Sequence, residues 1–488
     1  MPPRPIIFED HAHGRMRPLA WSRPIQDIRC GICTARERLQ KTAGEAEVLS
    51  LDRFALAAGG LQGAWAQAPD KASGEDGDLW IAGRFGPAWG VLADLLDLAG
   101  RGVPPFAWTD GHGLVAAWCR SPQAGSLGRS WSAWTRADLD HPRAHRPDRR
   151  PDPWVPDLEG LGFRPAETSD GHTLFFAPSD RESGRAAELA GAWRRWLKEP
   201  HLLVDWIWDL VPATGPAVEA DIGRFGSGSL VRTPFGLTPA TGAPVWGGPW
   251  IFTHPTVDQG GPVMQIIGER DRVYLGEGVT AEPGVVIDAA RGAVVLDRGV
   301  SIQAHCRLEG PLYVGPGSII KAGCRIYGES SFGIGNRLAG EIGESVTGDF
   351  VNKQHDGFIG HAVLGSWINL GALTTCSDLK NNYGEVRVDL GWGAQASGRR
   401  FVGLLAADHV KTAIGTLFNT GTCVGFASNI FGGGMPPKFV DHFSWGGQAD
   451  APRYAVDRAL ATARTVLGRR GCRLDEVQER LFHSLGGE

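Results

Sequence analysis

The residues best suited to chemistry lie close together between Gly348 and Ala372, in the stretch GDFVNKQHDGFIGHAVLGSWINLGA. It holds two imidazoles (His355, His361), the Lys353 ammonium, the Asp356 carboxylate and the amides of Asn352, Gln354 and Asn369. An imidazole has an unperturbed pKa of about 6.5, so a histidine oriented by polar neighbours can serve as general base near neutral pH. The plainer alternative is that these histidines only cap polar corners. Zinc is disfavoured, because the two histidines have no cysteine or carboxylate partners at a recognised ligand spacing.

Three weaker signals lie elsewhere. Asp205 and Asp209 in VDWIWDLVP offer two carboxylates to a Mg²⁺ ion, although surface or capping roles account for them more simply. Cys30-Gly-Ile-Cys33 is one CxxC without a second pair and reads as incidental. Gly432-Gly433-Gly434 reads as an exit from the last regular element rather than as a phosphate cradle.

The elements that must position the histidine cluster follow from a six-residue period. Leu275, Ala281, Ile287 and Ala293 form one series, and Ile302, Leu308, Val314, Ile320 and Ile326 another, with three residues inserted between them. A second track runs two residues ahead of the first, through Val300, Cys306, Leu312, Ser318 and Cys324. Neither a helical period of 3.6 nor strand alternation sustains this pattern, whereas a short strand and a sharp corner, repeated three times per coil, do. Glycines and prolines at the corners, such as Gly278, Pro283-Gly284 and Pro316-Gly317, match that geometry. A parallel β-helix is therefore expected, with the stacked coils sharing one apolar core. The period runs to about 330, falters, returns at Leu364-Gly365 and Leu370-Gly371, and continues to about 434. Function is expected in the loops that interrupt so rigid a frame.

The 488 residues suit more than one domain. We expect an α/β domain over 1–230, a connecting segment over 231–269, the β-helix over 270–434 and a helical tail over 435–488. In that tail Leu474, Val477, Leu481 and Leu485 fall at helical spacing after a break at Gly468–Gly471. Residues 141–157, with five prolines and no apolar periodicity, read as an exposed loop. The 69 glycines are about twice the usual share, as a chain of many corners requires. A net charge of −5 disfavours a nucleic-acid partner, and no apolar run reaches membrane-spanning length. Eight scattered cysteines and an amino-terminal stretch that turns polar at Glu9 make a cytoplasmic protein the expectation.

The solenoid resembles the left-handed β-helix of hexapeptide-repeat acyltransferases. Within that group, His355, Phe358, Gly360 and Asn369-Leu370-Gly371-Ala372 resemble the acetyltransferase half of the bifunctional enzyme that makes UDP-N-acetylglucosamine, with Phe358 standing where that family has tyrosine. The resemblance implies His355 as the base that deprotonates a sugar amine attacking acetyl-CoA. It implies Asn369 as an acceptor ligand, assisted by Asn382-Tyr383; the family's phosphate-binding arginine and lysines do not align without gaps, which leaves Lys353, Lys380 or Arg387 to take their place. It implies Ala372 and Thr422 as backbone contacts to the acyl donor, and a homotrimer, because in such solenoids the thioester arm lies between subunits.

Over its whole length the chain resembles divergent bacterial proteins of the UDP-N-acetylglucosamine diphosphorylase/glucosamine-1-phosphate N-acetyltransferase type. The strings that carry this are RPLAWSRPIQDIRCGI, NKQHDGFIGH, WINLGALTTCSDLKNNYG, KTAIGTLFNTGT and NIFGGGMPPKF. Gly14-Arg15-Met16-Arg17-Pro18-Leu19 with Arg23-Pro24 looks like a reduced nucleotidyltransferase loop, so Arg15, Arg17 and Arg23 are the expected nucleotide ligands, with Mg²⁺ accompanying a nucleoside triphosphate. His11-Ala12-His13 replaces the glycine-rich cradle, and Ile25 replaces the lysine that should follow the proline. The expected function is therefore acetyl transfer from acetyl-CoA to an amino sugar, together with nucleotidyl transfer to a sugar 1-phosphate. The alternatives are that only the acyltransferase half acts, or that the solenoid is a trimeric scaffold without catalysis.

Overall fold

In a computed structural model, the structure describes residues 4–9, 14–43, 47–49, most of 77–133, 154, 156–176, 183–224, four short strands between 229 and 253, and 264–487. The His11-Ala12-His13 segment, most of the proline-rich loop at 141–157 and most of the connecting segment at 231–269 lie outside the described residues. The chain forms two compact units. One comprises residues 1–14, 24–28 and 34–205; the other comprises 15–23, 29–33 and 206–488.

The first unit is built on a seven-stranded mixed sheet, in the order Glu47–Leu49, Arg4–Phe8, Asp78–Ala82, Leu114–Cys119, Phe106–Thr109, His172–Phe176, Arg164–Ser169. The first three strands are mutually parallel and the others are antiparallel. Strands covered on both faces read as unbroken apolar runs, which is why IIF and LWIA show no polar alternation. Ile7, Leu79 and Ile81 face helices Ala35–Ala43, Trp89–Gly100 and Gly184–Trp196, whereas Ile6, Phe8, Trp80 and Ala82 face Leu127, Trp131, Trp154 and Phe163. Ser183 begins the third helix by accepting a hydrogen bond from the Ala186 amide, and Ala186, Leu189, Trp193 and Trp196 form its buried stripe.

The second unit is a parallel β-solenoid running from Met264 to Val440, about ten coils whose strands stack into three sheets. Val294 pairs with Leu312 and Leu312 with Ser330, an 18-residue coil of three six-residue units. The inserted three residues lie in the corner 289–293, which is longer than its counterpart 310–311 in the next coil. The aliphatic series close a continuous core from Val273 to Val440. The regular path is interrupted once more where Val363 pairs with Leu405, so that residues 378–401 are added to one coil and carry their own hairpin, Arg387–Asp389 with Ala394–Ala396.

Several segments are built onto the solenoid within this unit. Helix Leu210–Ile222 reaches it through Gly215, whose amide donates to the Glu329 carboxylate. A Cβ at position 215 would overlap that carboxylate. The tail forms helices Val456–Gly468 and Glu476–Gly486, as its periodicity predicts, and Phe482 meets the rings of His409, Phe426 and Phe443. Among the described residues, no helix is long and apolar enough to cross a membrane.

Candidate functional site

His355 lies on an exposed corner, Gln354–Asp356, that follows the short strand Asn352–Lys353. The corner is pinned from inside. Lys353 takes the place in the coil where Ile302, Ile320 and Leu338 face the core, and its Nζ donates 2.8 Å bonds to the carbonyls of Ala339 and His355. Burial lowers the Lys353 pKa to about 8, because removing an ammonium from water disfavours its charged form. Lys353 was expected at the acceptor; the structure instead turns it inward, where it fixes the backbone of the histidine.

Backbone bonds stack three corners along the solenoid at this point. The Leu373 amide donates to the Asp356 carbonyl, and the Gly415 amide to the Ala372 carbonyl. His355–Asp356, Ala372–Leu373 and Ile414–Gly415 are therefore successive corners of one edge. Asn369 lies in the preceding sheet, bridged to Asn352 and Lys411, and its Oδ1 accepts a 2.6 Å bond from Asn352 Nδ2. Lys380, Asn382 and Tyr383 belong to the added segment 378–401: Lys380 Nζ donates to the Glu385 carbonyl, Asn382 Oδ1 accepts from the Gly384 amide, and the Tyr383 ring is exposed. Thr422 is fully buried, and its hydroxyl donates to the Asn419 carbonyl.

The candidate nucleotide ligands are placed differently from the sequence expectation. Arg15, Arg17 and Arg23 are all buried and belong to the solenoid unit. The Arg15 guanidinium lies 5.3 Å from the Trp206 ring, and that of Arg17 lies between Trp21 and Trp392. Arg23 bonds both Ser366 and the Asp408 carboxylate, which also accepts from Ser22 and from the Ser366 amide. The two aspartates weighed for a metal each have a guanidinium partner, Arg84 for Asp205 and Arg399 for Asp209. They do not present a pair of open carboxylates to Mg²⁺, and the described residues contain no cluster of three or more metal-ligating side chains.

A second constellation shares the solenoid unit. Glu344, His361 and Asp378 recur at the 17-residue step of the coils in this region. His361 Nδ1 lies 2.8 Å from Asp378 Oδ2, and Nε2 lies 3.4 Å from Glu344 Oε2. The Phe401 ring stacks on the imidazole at 4.8 Å. Glu344, His361 and Phe401 line a cavity of about 350 Å³ with Trp208, Val211, Pro212, Glu329, Arg399 and Arg400. Burial, aided by the charge of Glu344, raises the Glu329 pKa, and the bond from the Gly215 amide only partly opposes this. Sequence reading noticed His361 as a second imidazole but not this column. The signal lies in the spacing of Glu344, His361 and Asp378, which becomes visible once the local coil length is known.

Two comparisons with known proteins match parts of the chain. Residues 5–137 match the family model described as sugar nucleotidyl transferase. A stretch of 102 residues is 28% identical to the bifunctional sugar-1-phosphate nucleotidylyltransferase/acetyltransferase of Sulfurisphaera tokodaii. That stretch covers 21% of this chain and 25% of the relative, so the chain matches about a quarter of that protein's length. The amino-terminal domain is therefore nucleotidyltransferase-like, and it is followed by a parallel β-solenoid.

Proposed function

We infer that the protein is a transferase of nucleotide-sugar formation, whose solenoid moves an acetyl group from acetyl-CoA to an amino sugar or its phosphate. The observation that carries this reading is the exposed His355 on a corner whose backbone Lys353 anchors. The acceptor amine attacks the thioester carbonyl while His355 takes its proton. A C–N bond forms, the C–S bond breaks, and the coenzyme leaves as a thiol once it receives a proton. Asn369 orients the acceptor and the backbone around Ala372 faces the acyl arm, whereas Thr422, expected beside it, is buried with its amide and hydroxyl both bonded to the Asn419 carbonyl.

The same edge supports a homotrimer. Leu373 is 61% and Ile414 80% exposed, on corners stacked directly beyond His355. Large apolar side chains left in water beside a candidate base suit an interface that completes the site. In this reading the amino-terminal domain transfers a nucleotidyl group, accompanied by Mg²⁺, to a sugar 1-phosphate. UDP-N-acetylglucosamine is then the product class and the cytoplasm the location. One observation favours the narrower reading in which only the acyl half acts: the arginines expected at a nucleotide are buried on solenoid-unit partners.

The test is thiol release from acetyl-CoA with glucosamine 1-phosphate as acceptor. His355→Ala should lower turnover by at least about 10²-fold, the contribution of a general base, without changing the melting temperature. Unchanged turnover removes His355 as the base. Nucleotide incorporation from UTP into a panel of sugar 1-phosphates separates the bifunctional reading from the acyl-only one.

A further inference from the structure

The cavity beside His361 is polarised along its length. Its wall is the first part of helix Leu210–Ile222, with Val211 and Pro212 between two charged ends. At one end Asp209 holds Arg399, and Arg400 lies next to it on the exposed rim. At the other end the Gly215 amide holds Glu329. Six residues of helix separate Asp209 from Gly215, about 9 Å at 1.5 Å per residue. The solenoid repeats this order: Glu329, Glu344 and His361 lie on successive coils, each about 4.8 Å further along, and Arg399–Phe401 follow. The carboxylates of Glu329 and Glu344 therefore lie toward one end of a small cavity, and the guanidiniums of Arg399 and Arg400 toward the other.

The charges in this cavity do not cancel locally. Arg399 is engaged by Asp209, and His361 lies between the carboxylates of Asp378 and Glu344. Glu329 is held toward its neutral form chiefly by burial, with a smaller push from the Glu344 charge and against the bond from the Gly215 amide. No carboxylate among the described residues pairs with Arg400. Trp208 and Phe401 contribute flat apolar faces between the two ends.

We propose that this cavity is a second small-molecule site, separate from the His355 corner, for a ligand carrying a primary ammonium group and an anionic group a few ångströms apart. The ammonium lies between Glu329 and Glu344, donating to both carboxylates. The anionic group meets Arg400 at the rim, and the scaffold joining the two packs on Trp208 and Phe401. His361, oriented by Asp378, contributes a ring nitrogen to the ammonium or to a neighbouring hydroxyl. Amino-sugar phosphates and α-amino acids share this chemistry. The site does not depend on acyl transfer at His355, and its test separates the two.

Calorimetric titration of the full-length His355→Ala protein supplies that test. The probes are glucosamine 1-phosphate, glucose 1-phosphate, glucosamine and glutamate. Binding of glucosamine 1-phosphate, weakened at least tenfold when either the amine or the phosphate is missing, assigns the amino-sugar source; binding of glutamate alone assigns the amino-acid source. Glu344→Gln should weaken whichever probe binds by tenfold or more, and so should Arg400→Ala, which lies at the surface and leaves the fold intact. Equal binding of glucose 1-phosphate and glucosamine 1-phosphate, indifference to both substitutions, or silence from all four probes overturns the proposal. Acetyl transfer by the wild-type protein with an unresponsive cavity would sink this inference alone. A responsive cavity with no transfer would sink only the His355 reading.

Discussion

At the scale of single residues, the most informative side chain is Lys353, an ammonium in a position that other coils fill with isoleucine or leucine. Its pKa falls from 10.5 to about 8 on folding, so between those values the unfolded chain holds a proton that the folded chain has released. Stability therefore rises with pH across that window, and the penalty of burying the charge is in full force below it. Lys353→Met removes the titration. The stability difference between this variant and the wild type should shift by about 3 kcal/mol in favour of the wild type from pH 7 to pH 10.5. Denaturant unfolding at the two pH values measures this, and parallel profiles would show that Lys353 is not desolvated. The same variant frees the His355 carbonyl from its anchor, so acetyl transfer should fall even where stability does not.

At the scale of elements, glycines with close neighbours separate structural necessity from habit. A methyl group at Gly403 would overlap the carbonyl oxygen of Gly360 in the adjoining coil, whereas one at Gly90, in helix Trp89–Gly100, meets nothing within 4 Å. Gly403→Ala should therefore lower the melting temperature by several degrees. Gly90→Ala should raise it slightly, because alanine gains roughly 0.5–1 kcal/mol over glycine in a helix. Scanning calorimetry of both variants checks the opposite signs. The rhythm of these elements is legible in the sequence because each coil is local: a strand, a corner and an inward aliphatic residue recur within six positions. The last tail helix is legible for the same reason, through Leu481 and Leu485, whereas Leu474, expected on it, lies in the short strand Cys472–Leu474. The roles of Arg17 and Arg23 are not, since their partners Trp392 and Asp408 lie hundreds of positions away. Nor is the inward turn of Lys353, because polarity at a six-residue position reads as surface until the register is known.

At the scale of the whole molecule, the proposed site at His355 requires more than one copy of the chain. Sedimentation of the wild-type protein should show a trimer, and Leu373→Glu with Ile414→Glu should give monomers that retain the solenoid's circular dichroism but have lost acetyl transfer. A monomeric wild type would leave the exposed apolar edge without that role. A different consequence follows from Asp408, whose carboxylate gathers Ser22, Arg23 and the Ser366 amide although Arg23 lies 385 positions earlier in the chain. At about 5–20 residues per second, a ribosome needs roughly 20–80 s to travel between them. The newborn amino-terminal segment must wait that long before its counter-charge emerges. A fragment ending before residue 408 should accordingly depend on holding chaperones, however well the preceding coils have already stacked.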